Sequence, residues 1–471
     1  MRPILLVNAN VARPPVSPVG LEYVGESLTA AGIPVEVLDF SFEADWKAVL
    51  RKRLGNTEPL AVGLSVRNTD DCSFVSRKSY LPWISDVVAQ LKGLTAAPVF
   101  LGGVGFSTMP EAVLRATSAD FGVEGDGEEA LTVLSKFLSN GDDVTESPNL
   151  VYRREGSIIR NRRHDVDLRY LPKPSRRIFD NRRYEQFGAM VGVETKRGCP
   201  QGCIYCADPV AKGRLIRLRP PEVVVQEVRD LVGQGVRWLH FCDSEFNLPI
   251  QHGKEVCRAI VGAGLADRIS WYCYCSPTPF DSELALLMLR AGCTGINFGA
   301  DSFCDEQLGR LGRQHSSDDL RDLVGLLDKE GLNYMLDLLV GGPGETEQTL
   351  KKTIDQVVAL DVPLVGIAVG VRVYPRTPLA AALAGDPGTK GLHPSSKMAA
   401  HKPLFYLSPS LGADVFGLIR HLVKGDPRFL TLSAPDEKGS YNYADDELLC
   451  GLIEKGGRGA YWDIIKQSQQ S

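Results

Sequence analysis

The first third of this chain contains no histidine; the earliest of its seven is His164. That removes imidazole as a local metal ligand or proton carrier from everything before it. Cysteine is as scarce there, with Cys72 alone preceding Cys199, and an isolated thiol does not make a metal site. Long apolar runs are also missing. None approaches the roughly 20 residues of a membrane-spanning helix. The run Ile4–Val7 stops at Asn8, too short for the apolar region of a signal peptide. Strong charge of one sign is absent too, because the formal net charge is −5 over 471 residues. Nothing therefore pulls the whole chain toward nucleic acid or an anionic membrane. Eleven cysteines, an odd number, without an export signal point to the reducing cytoplasm.

What is present divides into domains, since a chain of this length exceeds one ordinary core. Residues 1–150 alternate strand and helix: apolar runs at Ile4–Val7, Val35–Leu38, Ala61–Val66, Val99–Leu101 and Phe121–Val123, with helical periodicity between them. That alternation predicts an open parallel sheet, which binds ligands beyond the carboxyl ends of its strands. The turns there are polar or Gly-rich: Asn8–Pro15, Arg67–Asp71, Gly102–Gly105 and Glu124–Glu128. Small residues on one edge suit a large flat ligand.

The densest chemistry is Cys199-Pro-Gln-Gly-Cys203-Ile-Tyr-Cys206. Zinc sites commonly close with four ligands, and the nearest other cysteine is Cys242. Three thiolates at this spacing can instead hold three irons of a [4Fe–4S] cluster and leave the fourth open. Gly198 and Gly202 suit a loop that wraps one centre. The triad follows an apolar run at Met190–Val193. Further strand-like runs occur at Trp238–Cys242, Ile269–Cys275, Gly295–Phe298, Met335–Val340 and Gly366–Val373, with helical segments between. Six such units are too few to close an eight-strand barrel, so a partial barrel is expected, with its site at the strand carboxyl ends. Cys273 and Cys275 alternate with Tyr272 and Tyr274, so the two thiols share a face. They read as small buried residues, with a barrel-facing role as the alternative.

With these residues in view, the chain resembles the radical S-adenosylmethionine (SAM) superfamily. Its first part resembles the cobalamin-binding domain that precedes many members. In that domain the matching features are Pro18-Val19-Gly20-Leu21, Asp39 after the second strand, Ser65-Val66-Arg67-Asn68, Gly102-Gly103 and Glu124-Gly125-Asp126-Gly127-Glu128. The resemblance implies cobalamin contacts at Asn8, Pro18, Gly20, Leu21, Ser65, Val66, Arg67, Asn68, Gly102, Gly103, Val104, Glu124, Gly125, Gly127 and Glu128. In the catalytic part the matching segments are the cysteine loop, Asp243-Ser244-Glu245-Phe246-Asn247, Gly299-Ala300-Asp301-Ser302, Gly342-Pro343-Gly344-Glu345-Thr346 and Tyr374-Pro375. The resemblance implies that Cys199, Cys203 and Cys206 bind the cluster and that Tyr205 lies by the adenine of SAM. It places Asp243, Ser244 and Glu245 near the methionine amino group and Asp301 at the ribose, with Gly342, Pro343 and Gly344 bringing backbone close. Asp301 stands where the family usually has a longer Glu.

The histidine-free domain departs from the Asp-x-His-x-x-Gly pattern of methionine-synthase-like cobalamin proteins. It implies cobalamin without a histidine lower ligand from this domain, with Arg67 as the candidate beneath the cobalt, since a guanidinium does not coordinate. Methylthiotransferases of the superfamily need a second cysteine set in the first domain, where only Cys72 occurs. The expected architecture is α/β: a cobalamin domain at 1–150, an Arg-rich linker at 151–185 pairing with acidic neighbours, a partial (β/α)6 barrel at 186–385, and a mostly helical substrate-related region at 386–471. In that last region Asp386–Pro394 reads as a flexible loop, and Tyr441-Asn-Tyr443 as a pocket lining. The expected reaction is C-methylation of a small molecule with an external one-electron donor. Alternatives are cyclisation, ring contraction or rearrangement with the same cofactors and, more remotely, a non-catalytic cobalamin carrier or sensor.

Overall fold

The computed structural model describes residues 2–385, 390–394, 402–431 and 447–470. The expected lining Tyr441–Tyr443 and the start of the expected loop at Asp386 lie outside them. The first sheet contains β1 (Ile4–Asn8), β2 (Val35–Asp39), β3 (Ala61–Ser65), β4 (Val99–Gly102) and β5 (Phe121–Val123), parallel in the order β2-β1-β3-β4-β5. Helices cover both faces, which explains why β1 is a continuous apolar run buried along its whole length. In register, Asn8 stands opposite both Asp39 and Ser65. The strands therefore end together, and their following turns share one edge.

The sheet does not stop at residue 150. β6 (Leu150–Arg154) and β7 (Ser157–Arg160) form an antiparallel hairpin that extends it beyond β5. The turn between them has positive φ at Glu155 and Gly156, the geometry that matches the twist of paired strands. The beginning of the expected linker is thus part of the first domain. Arg176, later in the same segment, is fully buried rather than solvated. It pairs with Glu22 from the helix Val19–Ala30 and with Glu227 from the helix Pro221–Gly233 (2.5 Å).

The second sheet begins at β8 (Val191–Val193). A two-residue ribbon follows, β9 (Lys196–Arg197) with β10 (Arg217–Leu218). β11 (Trp238–Phe241), β12 (Ser270–Cys275), β13 (Cys293–Asp301), β14 (Tyr334–Val340) and β15 (Val365–Val369) then add in chain order, all parallel. Three short strands, β16 (Val371–Arg372), β17 (Leu392–His393) and β18 (Phe405–Tyr406), make a small antiparallel sheet. Finally β19 (Phe429–Thr431) pairs in parallel with β15 and makes a seventh strand. The six-unit partial barrel is present, and the C-terminal region lengthens it by one strand.

Alternation within these strands sorts side chains by face. Leu239 and Phe241, and Trp271, Cys273 and Cys275, join the helix-side core. Cys273 and Cys275 are buried with their sulfurs 3.8 Å apart. His240, Tyr272 and Tyr274 face the concave interior. The C-terminal helix Tyr461–Gln470 docks on that interior: Tyr272 Oη donates to Asp463 (2.6 Å), and Trp462 Nε1 donates to Asn297.

Candidate functional site

The two sheets present their carboxyl edges to one cavity of about 470 Å³, within the range of small-molecule sites. Asn8, Pro18, Gly20, Leu21, Ser65, Arg67, Gly102, Gly103, Val104, Gly125, Gly127 and Glu128 line it from the first domain. Met190, His240, Cys242, Asp243, Ser244 and Tyr274 line it from the second. At Gly103 φ is +93°, and a Cβ would lie 2.7 Å from the Val66 carbonyl, so only glycine lets this rim fold so tightly. Three expected contacts do not line the cavity. Val66 points into the sheet core. Asn68, with its amide oriented to satisfy both partners, accepts from Arg67 Nη1 at 3.1 Å. Glu124 is held by Arg160 (2.8 Å) and Arg376 (2.7 Å).

Cys199, Cys203 and Cys206 ring a second cavity of about 150 Å³ with Tyr205, Ser244, Glu245, Asp301 and Arg313. Gly198 sets this loop. Its φ is +94°, and a Cβ there would meet the Leu215 carbonyl at 2.0 Å. Among the described residues no three Cys, His, Asp or Glu side chains converge on a point suited to a single ion. The thiols instead surround a space, as ligands of a cluster must. Burial pushes all three thiols up. Arg313 Nη1 donates to Cys203 Sγ at 3.1 Å, supplying positive charge beside a future thiolate. Burial also pushes the Glu245 carboxyl up to about 7.

Several residues expected to touch SAM have protein partners. Asp243 accepts from the Thr195 amide (2.8 Å) and hydroxyl (2.5 Å) and from the Lys196 amide (3.2 Å), so its carboxylate braces the chain leading to the cysteine loop. Ser244 Oγ donates to Asp208 (2.5 Å), which also pairs with Lys212 (3.3 Å). Asp301 accepts from Tyr205 Oη and pairs with Arg313 at 3.4 Å. Gly342, Pro343 and Gly344 line none of the cavities described here. A Cβ at Gly342 would meet Gln307 Nε2 at 2.3 Å, and one at Gly344 would meet Arg310 Cζ at 2.8 Å. Their smallness admits side chains of the helix Asp305–Leu311.

A third cavity, of about 260 Å³, fills the barrel interior, walled by Tyr272, Tyr274, Asn297, Asp337, Tyr461 and Trp462. It shares Met190, His240, Tyr274 and Tyr461 with the large cavity, and Tyr205 and Asp301 with the cysteine cavity. A molecule placed there would adjoin both.

Sequence reading missed Arg313, Asp208, Lys212, His240, Trp462 and Arg197. Arg197 Nη2 donates to Glu128 (2.6 Å), while its Nη1 and Nε reach Asp126 (3.1 Å) and Glu194 (2.8 Å). Nearness to the cysteine motif was the available signal for Arg197 and Asp208. For the others only tertiary structure supplies it.

The donor sets fit the groups expected of them: three thiols around a cluster-sized space, and a broad glycine-rimmed cavity for a corrin. Residues 193–357 match the Radical SAM superfamily and residues 5–135 the B12 binding domain. The chain is 31% identical to the tryptophan 2-C-methyltransferase of Streptomyces laurentii, over 98% of this chain and 95% of that protein. It superimposes on the radical SAM methyltransferase TsrM from Kitasatospora setae, solved with tryptophan substrate and a SAM analogue. The TM-score is 0.91 at 30% identity, covering 100% of this chain and 99% of that one. OxsB, a cobalamin-dependent SAM radical enzyme, shares the fold at 18% identity and TM-score 0.72, covering 87% of this chain and 64% of its own. The chain therefore belongs to the cobalamin-dependent radical SAM methyltransferases, enzymes that use a [4Fe–4S] cluster, SAM and cobalamin to methylate a carbon of a small molecule.

Proposed function

We propose that this enzyme methylates a ring carbon of tryptophan or a closely related indole amino acid. The observation that carries the reading is near-full-length similarity, on both chains, to a tryptophan 2-C-methyltransferase. The aromatic walls of the barrel cavity suit a flat ring. In this reading Cys199, Cys203 and Cys206 hold the cluster, and Tyr205, Ser244, Glu245 and Asp301 surround the SAM beside it. Arg67, which lines the large cavity, would lie against the corrin, and its guanidinium has no lone pair to offer a metal, so bound cobalamin would supply its methyl-transfer chemistry without a nitrogen ligand from this residue. The bound groups supply methyl transfer and electron chemistry, while the protein positions them and excludes water. An external one-electron donor serves the cluster, and the enzyme works in the cytoplasm without nucleic acid. No helix among the described residues is long and apolar enough to cross a membrane.

The test is anaerobic reconstitution with iron, sulfide and cobalamin, followed by SAM, a reductant and tryptophan. Methyltryptophan should form with at least one S-adenosylhomocysteine per methyl. Turnover of SAM without methylated tryptophan refutes the substrate reading.

A further inference from the structure

We propose that Arg197 is a positioning residue that passes the seating of cobalamin on to the cysteine loop, so that the corrin steadies the cluster it faces. This rests on cobalamin filling the large cavity and on the cluster sitting among Cys199, Cys203 and Cys206. The cysteine loop has a neck. β9 leads into it, β10 closes it, and Arg197 stands directly opposite Arg217 across that ribbon. The first thiol follows two residues later, where the Cys199 amide donates to the Gly213 carbonyl at 3.0 Å.

Both neck arginines reach into the first domain. Arg197 Nη1 donates to Asp126 (3.1 Å) and its Nη2 to Glu128 (2.6 Å), while its Nε holds Glu194 (2.8 Å) on its own side. Arg217 Nη1 donates to the other oxygen of Asp126 and to the Val166 carbonyl (2.9 Å). Asp126 and Glu128 belong to the turn after β5, and both line the large cavity together with Arg197 and Glu194. Relative exposure is 9% for Arg197, 5% for Asp126 and 2% for Glu128, so water and salt screen these ties little.

One atom of this network points to the ligand. Glu128 Oε2 is buried and has no hydrogen-bond partner among the described residues. A buried carboxylate oxygen without a donor is costly. Cobalamin carries primary amides around its corrin, and these are the donors such an oxygen lacks. The turn itself is permissive, because Asp126 sits between Gly125, with φ of +79°, and Gly127. Contacts from outside must therefore fix it. The corrin holds the turn from the cavity and the two arginines hold it from the neck, so ordering by one lowers the cost of the other.

The test is anaerobic. Enzyme loaded with iron and sulfide is prepared with and without bound cobalamin, a ferrous chelator is added, and the iron left on the desalted protein is measured over time. Release requires the loop to open, so its rate follows the population of open loops. Wild type should lose iron about fivefold or more slowly with cobalamin bound. Arg197→Met and, at full cobalamin loading, Glu128→Ala should lose iron equally fast in both preparations, whereas Arg197→Lys should keep part of the difference. A merely structural arginine would speed release in both preparations and leave their ratio unchanged. A ratio that stays at the wild-type value in either Arg197→Met or Glu128→Ala means that the corrin only shields the cluster, and it overturns the inference. So does a ratio of one in wild type. Amide exchange supplies a check that needs no variant: in wild type without iron, cobalamin should slow exchange over residues 196–218, and an unchanged rate there overturns the inference too. Failure to take up iron or cobalamin at all would instead refute the placement of those groups.

Discussion

Cys203 joins the cluster loop to the barrel, because Arg313 reaches its sulfur from beyond the helix that follows β13. Cys203→Ala should lower iron content and abolish SAM cleavage while leaving the cobalamin absorbance intact. Retained cleavage would refute the cluster assignment. Arg67 carries a second residue-level test. Arg67→His offers a coordinating nitrogen where the native residue offers none, and electron paramagnetic resonance of the reduced cobalamin should then show nitrogen splitting. Its absence removes Arg67 from beneath the cobalt.

His315 gives a pH test just behind the cysteine cavity, two residues from Arg313. Its ring nitrogen meets the Ala300 carbonyl at 3.1 Å, and burial, then Arg313, lower its pKa to about 4. Folding favours the neutral ring. The stability it contributes is therefore complete above about pH 6.5 and is lost as pH falls through 6.5 toward 4. The loss attributable to this residue is about 3 kcal/mol at pH 4. His315→Gln should flatten that part of the profile in denaturant titrations at pH 7 and pH 4.5. An unchanged slope would show that the ring titrates normally.

Among the elements, the loop after β4 shows what a single methyl group would cost. Gly103→Ala meets both a positive φ and the Val66 carbonyl. It should destabilise the first domain by more than about 1 kcal/mol and weaken cobalamin binding; a differential scan and a cobalamin titration check both. Most strands were legible because parallel strands buried on both faces read as apolar runs, as at Ile4–Asn8 and Tyr334–Val340. β19 was not, since three residues at Phe429–Thr431 carry too little pattern. The β6–β7 hairpin was obscured differently. Arginines at 153, 154 and 160 made it look like a charged connector, although Glu155-Gly156 already held its turn. In the site, the gathering of the three cysteines and of the glycine rims around cavities was legible because each is a short local motif. At Gly342 and Gly344 the sequence did not show that the same smallness also serves packing against the helix Asp305–Leu311. His240 carried no local pattern, since its significance depends on two cavities meeting.

For the whole molecule, buried ion pairs hold the halves together. Arg176→Met would leave Glu22 and Glu227 without the arginine they share, although Arg219 still reaches Glu227 at 2.6 Å. Removing one partner of such a network typically costs about 3–5 kcal/mol. The variant should melt markedly lower than wild type; an unchanged melting temperature would mean that water replaces the guanidinium. The junction extends well beyond this cluster. Tyr184 Oη donates to Asp39 (2.7 Å) near the ends of β1 and β2, Arg372 pairs with Asp70 (2.8 Å) beyond β3, and Arg376 and Arg197 pair with Glu124 and Asp126 beyond β5. These ties run along the whole shared edge rather than gathering at a hinge, so opening the halves means breaking many at once. Corrin exchange should therefore be far slower than turnover, measurable as the persistence of isotopically labelled cobalamin during a chase. On that outcome the protein would treat its two small-molecule cofactors as different goods: SAM would pass through in every cycle, whereas the corrin would be installed once and kept.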